Sequence, residues 1–137
     1  MTTVMANYSV GEDCYQEIPQ VLKPYSIKSV VLIGGKRALG ATEDEVRAVL
    51  DKAGIEVTGS FVYGVDSTQT NIDKLVANPA VQKAQAIFGF GGGRVLDTTK
   101  MVAKALDKPT FTFPTICSNC SAGTAIAVVY KDDHSVL

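Results

Sequence analysis

Ala86-Ile87-Phe88-Gly89-Phe90-Gly91-Gly92-Gly93-Arg94-Val95-Leu96 says more about the architecture than any other segment of the chain. It opens on a short apolar run that suits a strand, and the glycines that follow permit a tight turn. Beyond the turn, Val95, Leu96, Thr99, Val102, Ala103 and Leu106 recur on one helical stripe, with Arg94, Asp97, Thr98, Lys104 and Asp107 mostly off it. A strand that turns through glycines straight into an amphipathic helix is the unit from which parallel sheets are built.

The same alternation extends in both directions. Upstream, Val30-Val31-Leu32-Ile33 is a continuous β-branched and apolar run, as in a strand buried on both faces, and Gly34-Gly35 ends it. Thr42 and Glu45 have capping-box spacing, which predicts a helix carrying Val46, Val49, Leu50 and Ala53 and stopping at Gly54. Ile55 to Tyr63 reads as a strand. Thr70 is a candidate cap for a helix with Ile72, Leu75 and Val76, ended by Asn78-Pro79. Near the start, Tyr8-Ser9-Val10 reads as a first strand closed by Gly11, and Tyr15, Ile18, Val21 and Leu22 as a helix closed near Pro24. Downstream, Thr110 to Phe113 is a strand and Pro114 to Gly123 a polar loop. Ala125 to Tyr130 is a last strand, followed by Lys131 to His134 as a turn. The expected fold is α/β, a Rossmann-like, mostly parallel sheet with helices on both faces, ending in what resembles a barely begun β-hairpin. Residues 1–137 read as one domain. Whether they are a fragment of something longer or end in a short ordered tail stays open at this point.

Composition narrows the function. The chain of 137 residues is 46% apolar and 20% charged, which suits a globular domain and excludes collagen-like or broadly disordered classes. Thirteen basic residues stand against fourteen acidic ones, so the total charge gives no sign of a nucleic-acid-binding face. No apolar run approaches a membrane span, and MTTVMANYSV lacks the basic start and apolar core of a signal peptide, so a cytoplasmic protein is expected. Three cysteines cannot make a four-cysteine zinc site. A site of Cys14, Cys117, Cys120 and His134 would need all four to converge without the paired spacing such sites use.

The glycine turn is a candidate phosphate site. A helix N-terminus offers unpaired N–H groups and about half a positive charge, and glycines let an anion approach that backbone closely. A diphosphate would be held mainly by main chain, with Arg94 or Lys100 adding charge. The strict G-x-G-x-x-G pattern fails because Arg94 stands where the third glycine belongs, and no Gly-Lys-Ser/Thr of a P-loop follows. A tight strand-to-helix turn without a ligand is the alternative. After the earlier strand, Gly34-Gly35 leads to Lys36 and Arg37 with no acid, a pair that suits a 2'-phosphate as on NADP or is simply solvated. Asp97 and Lys100 also read as a solvated pair on their helix.

Gly91-Gly92-Gly93-Arg94-x-x-Asp97-x-x-Lys100, followed by Pro114-Thr115-Ile116-Cys117-Ser118, resembles the N-terminal half of the iron-containing (metal-dependent) alcohol dehydrogenase family, in its glycerol dehydrogenase-like branch. Looser matches run through Tyr8 to Gly11, Gly34-Gly35, Asn71-Ile72 and Ala125 to Tyr130. The resemblance implies an NAD- or NADP-binding domain of an oxidoreductase acting on alcohols or polyols. It places Gly92, Gly93 and Arg94 at the diphosphate, and Thr115 and Ser118 near the phosphates and nicotinamide. Thr124, Ile126 and Tyr130 become further cofactor contacts. Cys120 stands where glycerol dehydrogenases have an Asp near the polyol, and Gly35 where many relatives have an Asp. The family's metal ligands, an Asp and two His, lie in a helical C-terminal domain absent from this chain. Zinc or iron is therefore expected only in a full-length enzyme, and no catalytic or metal-ligating residue is assigned here. The expected partners are the dinucleotide and that domain, with homo-oligomerisation left open and no nucleic acid or membrane. Two rival readings stay in play: a non-catalytic nucleotide-binding module, and a thiol redox protein using Cys117-Ser118-Asn119-Cys120.

Overall fold

A computed structural model describes residues 8–117 and 119–137. Four strands, β1 (Ser29–Gly34), β2 (Glu56–Val62), β3 (Ala86–Gly91) and β4 (Thr110–Pro114), form one parallel sheet in the order β2-β1-β3-β4. The helices are α1 (Ile18–Leu22), α2 (Lys36–Lys52), α3 (Gln69–Val76), α4 (Pro79–Lys83) and α5 (Gly93–Ala105). They cover both faces because the two central strands are buried throughout. Val30, Leu32, Phe88 and Phe90 pack with Leu22, Val46 and Leu50 on the α1–α2 side, while Val31, Ile33 and Ile87 pack with Ile72, Val81 and Val102 on the other. Alternation along a strand thus serves two cores at once, and the expected α/β sheet is the observed one.

The strand order fixes where a ligand can enter. From β1 the chain crosses to β2 on one side and then returns past β1 to β3, so the order reverses between β1 and β3. In open parallel sheets the crevice beyond the carboxyl ends at such a reversal is the usual binding place. Gly34-Gly35 and Gly91-Gly92-Gly93 are the two turns that meet there, joined by the Gly35 N–H donating to the Phe90 carbonyl at 3.2 Å. At Gly34 a Cβ would lie 2.9 Å from the Phe90 carbonyl oxygen and 2.6 Å from Leu39 Cγ, so a side chain would force the two strand ends apart.

Several local expectations are corrected. Tyr8-Ser9-Val10 is not a strand; Tyr8 and Val10 are 77% and 89% exposed, and the segment pairs with none of the described strands. α2 starts at Lys36, capped by extended Gly35, and not at Thr42, whose hydroxyl donates back to the Ala38 carbonyl at 2.9 Å inside the helix. Thr68, not Thr70, caps α3 by accepting from the Asn71 N–H. Asn78-Pro79 ends α3's pattern as expected, and Asn78 then caps α4. Ala125 to Tyr130 does not join the sheet. α5 side chains take part of its main chain, with Lys100 Nζ donating to the Ile126 carbonyl and Asp97 accepting from the Val128 N–H, while Val129 and Tyr130 pair with Leu137 and with Ser67 and Gln69. The closing hairpin survives as one antiparallel bridge, Tyr130 with Val136, around a turn at residues 131–135.

Two glycines on α2 and its end make opposite predictions. Gly40 sits inside the helix, exposed, with nothing within 4 Å of where a Cβ would be. Gly54 ends the helix at φ +69°. Gly40→Ala is expected to raise unfolding stability and Gly54→Ala to lower it, each by about 1 kcal/mol, in urea titrations.

Candidate functional site

The site is assembled at the β1/β3 reversal by the first turn of α5. Gly91 turns the chain out of β3 at φ +150°, where a Cβ would sit 2.8 Å from Val95 Cγ2. Gly92 then caps α5 in extended conformation with no side chain to satisfy the helix donors. Among the described residues, none accepts from the N–H groups of Gly93, Arg94 and Val95, and the first turn carries no acid. These donors border an open pocket of about 280 Å³ lined by Tyr63, Gly92, Gly93, Arg94, Val95 and Ile116. Positive dipole, free donors and room for a small anion therefore coincide. A depression of about 330 Å³ near Lys23, Lys28 and Ala53 lies at the opposite ends of the strands, beside the carboxyl terminus of α2, the negative pole of that helix.

The loop after β4 packs on the glycine turn and contributes Ile116 to the pocket wall. Ile116 lies over Gly92 and Asn119 over Gly93, so close that a Cβ on either glycine would fall 2.6 Å from Ile116 Cδ1 or 2.5 Å from Asn119 Nδ2. Thr115 is exposed beside the turn, its N–H donating to the Gly91 carbonyl at 3.2 Å. Ser118 lies outside the described residues. Cys117 and Cys120 are free and exposed on the same loop. Thr124 is half-buried, Ile126 is 75% exposed, and Tyr130 is half-buried with its main chain bridged to Thr68.

Arg94 is exposed at the pocket mouth, with its Nε 3.4 Å from Asp66 Oδ1. Lys100, by contrast, is not at the pocket. Its side chain is only 9% exposed, paired with Asp97 at 3.0 Å, and it donates to Ser121 Oγ and two carbonyls. The reading of Asp97 and Lys100 as solvated is thereby overturned. A loop more than twenty positions downstream covers them, which no local spacing announces. Lys36 and Arg37 are exposed in the first turn of α2, which also lacks an acid.

Sequence reading missed Asp66, Tyr63 and Asn119. Tyr63 ends the β2 run, and its phenol donates to the Val65 carbonyl at 2.9 Å. Burial first, then the Asp66 carboxylate, push its pKa up while Arg94 acts against them, so the phenol stays neutral at pH 7. The free main-chain donors and Arg94 suit a small anion such as a diphosphate group. A catalytic metal does not fit the described residues, among which no three of His, Cys, Asp and Glu converge. No helix among them is long and apolar enough to cross a membrane.

Comparison with known proteins bears on the family and the fold. The model of the family described as "Iron-containing alcohol dehydrogenase" matches residues 6–136. A glycerol dehydrogenase from Pseudomonas putida is 34% identical over 126 residues, 92% of this chain and 34% of that protein. A glycerol dehydrogenase from Escherichia coli is 32% identical over the same shares of the two chains. The chain thus spans about a third of the length of the curated relatives it matches. Among solved structures, glycerol dehydrogenase from Schizosaccharomyces pombe superposes with a TM-score of 0.74 at 23% identity, covering 90% of this chain and 31% of that one. The NADH-dependent butanol dehydrogenase A of Thermotoga maritima gives 0.77 at 22% identity, covering 94% and 39%. With the family model matched almost end to end on a parallel sheet whose glycine turn opens at the strand-order reversal, the chain belongs to the iron-containing alcohol dehydrogenase family.

Proposed function

We propose that this chain is the dinucleotide-binding part of an NAD(P)-dependent alcohol or polyol dehydrogenase. The observation that carries the reading is the open first turn of α5, whose three N–H groups face a pocket at the β1/β3 reversal. The free N–H groups of Gly93, Arg94 and Val95 receive the diphosphate, Gly92 and Gly93 leave room for Ile116 and Asn119 to pack on the turn, and Arg94 supplies the charge. The family resemblance gives Thr115 and Ser118 roles near the phosphates and the nicotinamide. Thr124, Ile126 and Tyr130 are further cofactor contacts, and Cys120 is nearest the substrate side. Bound nicotinamide supplies a hydride acceptor; the residues here hold and orient it. The remainder of such an enzyme supplies the metal, zinc or iron, and closes the cleft. The similarity to glycerol dehydrogenases favours a small polyol, although Cys120 in place of an acid weakens recognition of a second hydroxyl.

NADP is the favoured cofactor. The end of β1 borders the diphosphate turn, and there Lys36 and Arg37 stand without a carboxylate to accept from ribose hydroxyls. Titration of NADP and NAD by thermal shift should give saturable stabilisation with both, larger with NADP. Lys36→Glu with Arg37→Glu should weaken NADP about tenfold and leave NAD within about twofold, since a charge-assisted phosphate contact has that magnitude. Equal losses for both cofactors would remove the NADP assignment. No stabilisation of the wild-type chain at millimolar cofactor would count against the binding role altogether.

A further inference from the structure

We propose that Asp66 is the positioning residue of the phosphate pocket, aiming the Arg94 guanidinium across its mouth. This rests on the reading of the pocket as a diphosphate site. Asp66 is a carboxylate with a side chain only 10% exposed, at the centre of a set of converging contacts. Its Oδ1 accepts from the Ser67 N–H at 2.9 Å and stands 3.4 Å from Arg94 Nε, while Oδ2 lies 3.2 Å from His134 Nδ1.

The support beneath Asp66 is built from two directions. Asn71 Nδ2 donates to the Asp66 carbonyl at 2.9 Å, and Asn71 packs so closely on Gly64 that a Cβ there would lie 2.4 Å from that nitrogen. From the other end of the chain, the Tyr130 N–H donates to the Ser67 carbonyl at 2.8 Å and the Tyr130 carbonyl accepts from the Gln69 N–H. The Asp66 carboxylate is therefore fixed, whereas Arg94 is exposed and attached by a long flexible stem.

The pairing uses Nε. Both terminal nitrogens of the guanidinium are left for an anion, the fork that suits phosphate oxygens. An unrestrained Arg loses rotamer freedom when it binds, and a partner that orders it beforehand removes that loss. Charge alone argues the other way, because a carboxylate near a diphosphate repels it. The two effects have opposite signs, which makes the assignment decidable.

ADP-ribose is the probe, since its diphosphate does not titrate near neutrality, with the whole chain studied by calorimetry at pH 7.5. Asp66→Ala should weaken ADP-ribose about fivefold, and Asp66→Asn, which keeps the acceptor and drops the charge, should stay within about twofold of wild type. In an Arg94→Gln background, Asp66→Ala should change affinity by less than about 1.5-fold, because its effect passes through Arg94. Arg94→Lys should lose about fivefold despite keeping its charge, and it serves if Asp66→Ala does not fold. Wild-type or tighter binding by Asp66→Ala, or an equal loss in both backgrounds, would overturn the positioning role while leaving the diphosphate site standing. For Arg94→Lys, undiminished affinity would do the same. Absence of saturable binding by the wild-type chain would remove both.

Discussion

Lys100→Met is expected to destabilise the chain by about 3 kcal/mol and to release residues 121–128 from α5. Lys100 and Asp97 are 9% and 13% exposed and 3.0 Å apart. Around them, Ser121 Oγ donates to Asp97 at 2.6 Å, the Val128 N–H donates to the other carboxylate oxygen, and Lys100 reaches the carbonyls of Thr124 and Ile126. Methionine keeps the volume but leaves a buried carboxylate without its counter-charge and two carbonyls without a donor, and such losses dominate the cost of breaking a buried pair. Urea unfolding gives the stability, and hydrogen exchange at Val128 shows whether the segment has come away. A second replacement, Asp97→Asn, should cost much less in the Lys100→Met background than in wild type, because the two residues form one network. Stability within about 0.5 kcal/mol of wild type would mean that the network does not hold the segment. Thr124 and Ile126, proposed cofactor contacts, ride on that segment, so on that proposal cofactor affinity should fall with it.

Arg94→Glu is expected to weaken dinucleotide binding about a hundredfold. The change removes one charge-assisted contact and sets a negative charge against the diphosphate, and the two losses act together. The side chain is 64% exposed, so the fold should survive, although the introduced carboxylate would face that of Asp66 and raise the local cost slightly. Isothermal titration with NADP and NAD checks the affinity, and a thermal melt without cofactor checks the fold. Loss of the same size for both cofactors places Arg94 at their shared diphosphate. Unchanged affinity would show that α5 does not receive it.

How much of this was legible beforehand depended on whether the determining contact was local. Val30 to Ile33 and Ala86 to Phe88 announced themselves because a parallel strand covered on both faces needs apolar side chains without alternation. The glycine turn was legible because strand, glycines and helix follow one another directly. The start of α2 was hidden by Gly34, Gly35 and Gly40. The first two do belong to a turn, but Gly40 is carried by a helix whose packing outweighs its poor propensity. Asp97 and Lys100 were misread since an i, i+3 pair of opposite charges looks the same whether water or a distant loop covers it. Asp66 carried no signal at all. Its importance arises from Arg94 and His134, twenty-eight and sixty-eight positions away, which only the fold brings to one carboxylate. The last apolar run failed as a strand because α5 side chains took the Ile126 and Val128 main-chain groups and loop backbone took those of Tyr130, a competition that propensity does not register.

On the proposed reading the backbone amides at the start of α5 receive the diphosphate, and cofactor binding by this chain stands or falls with them. Amide chemical shifts of the ¹⁵N-labelled chain, followed as ADP-ribose is added, report on those amides one by one. Saturable shifts are expected, concentrated at Gly93, Arg94 and Val95, with a smaller response at Thr115. Saturation with those amides unmoved, or no response at millimolar ligand, would refute the diphosphate site.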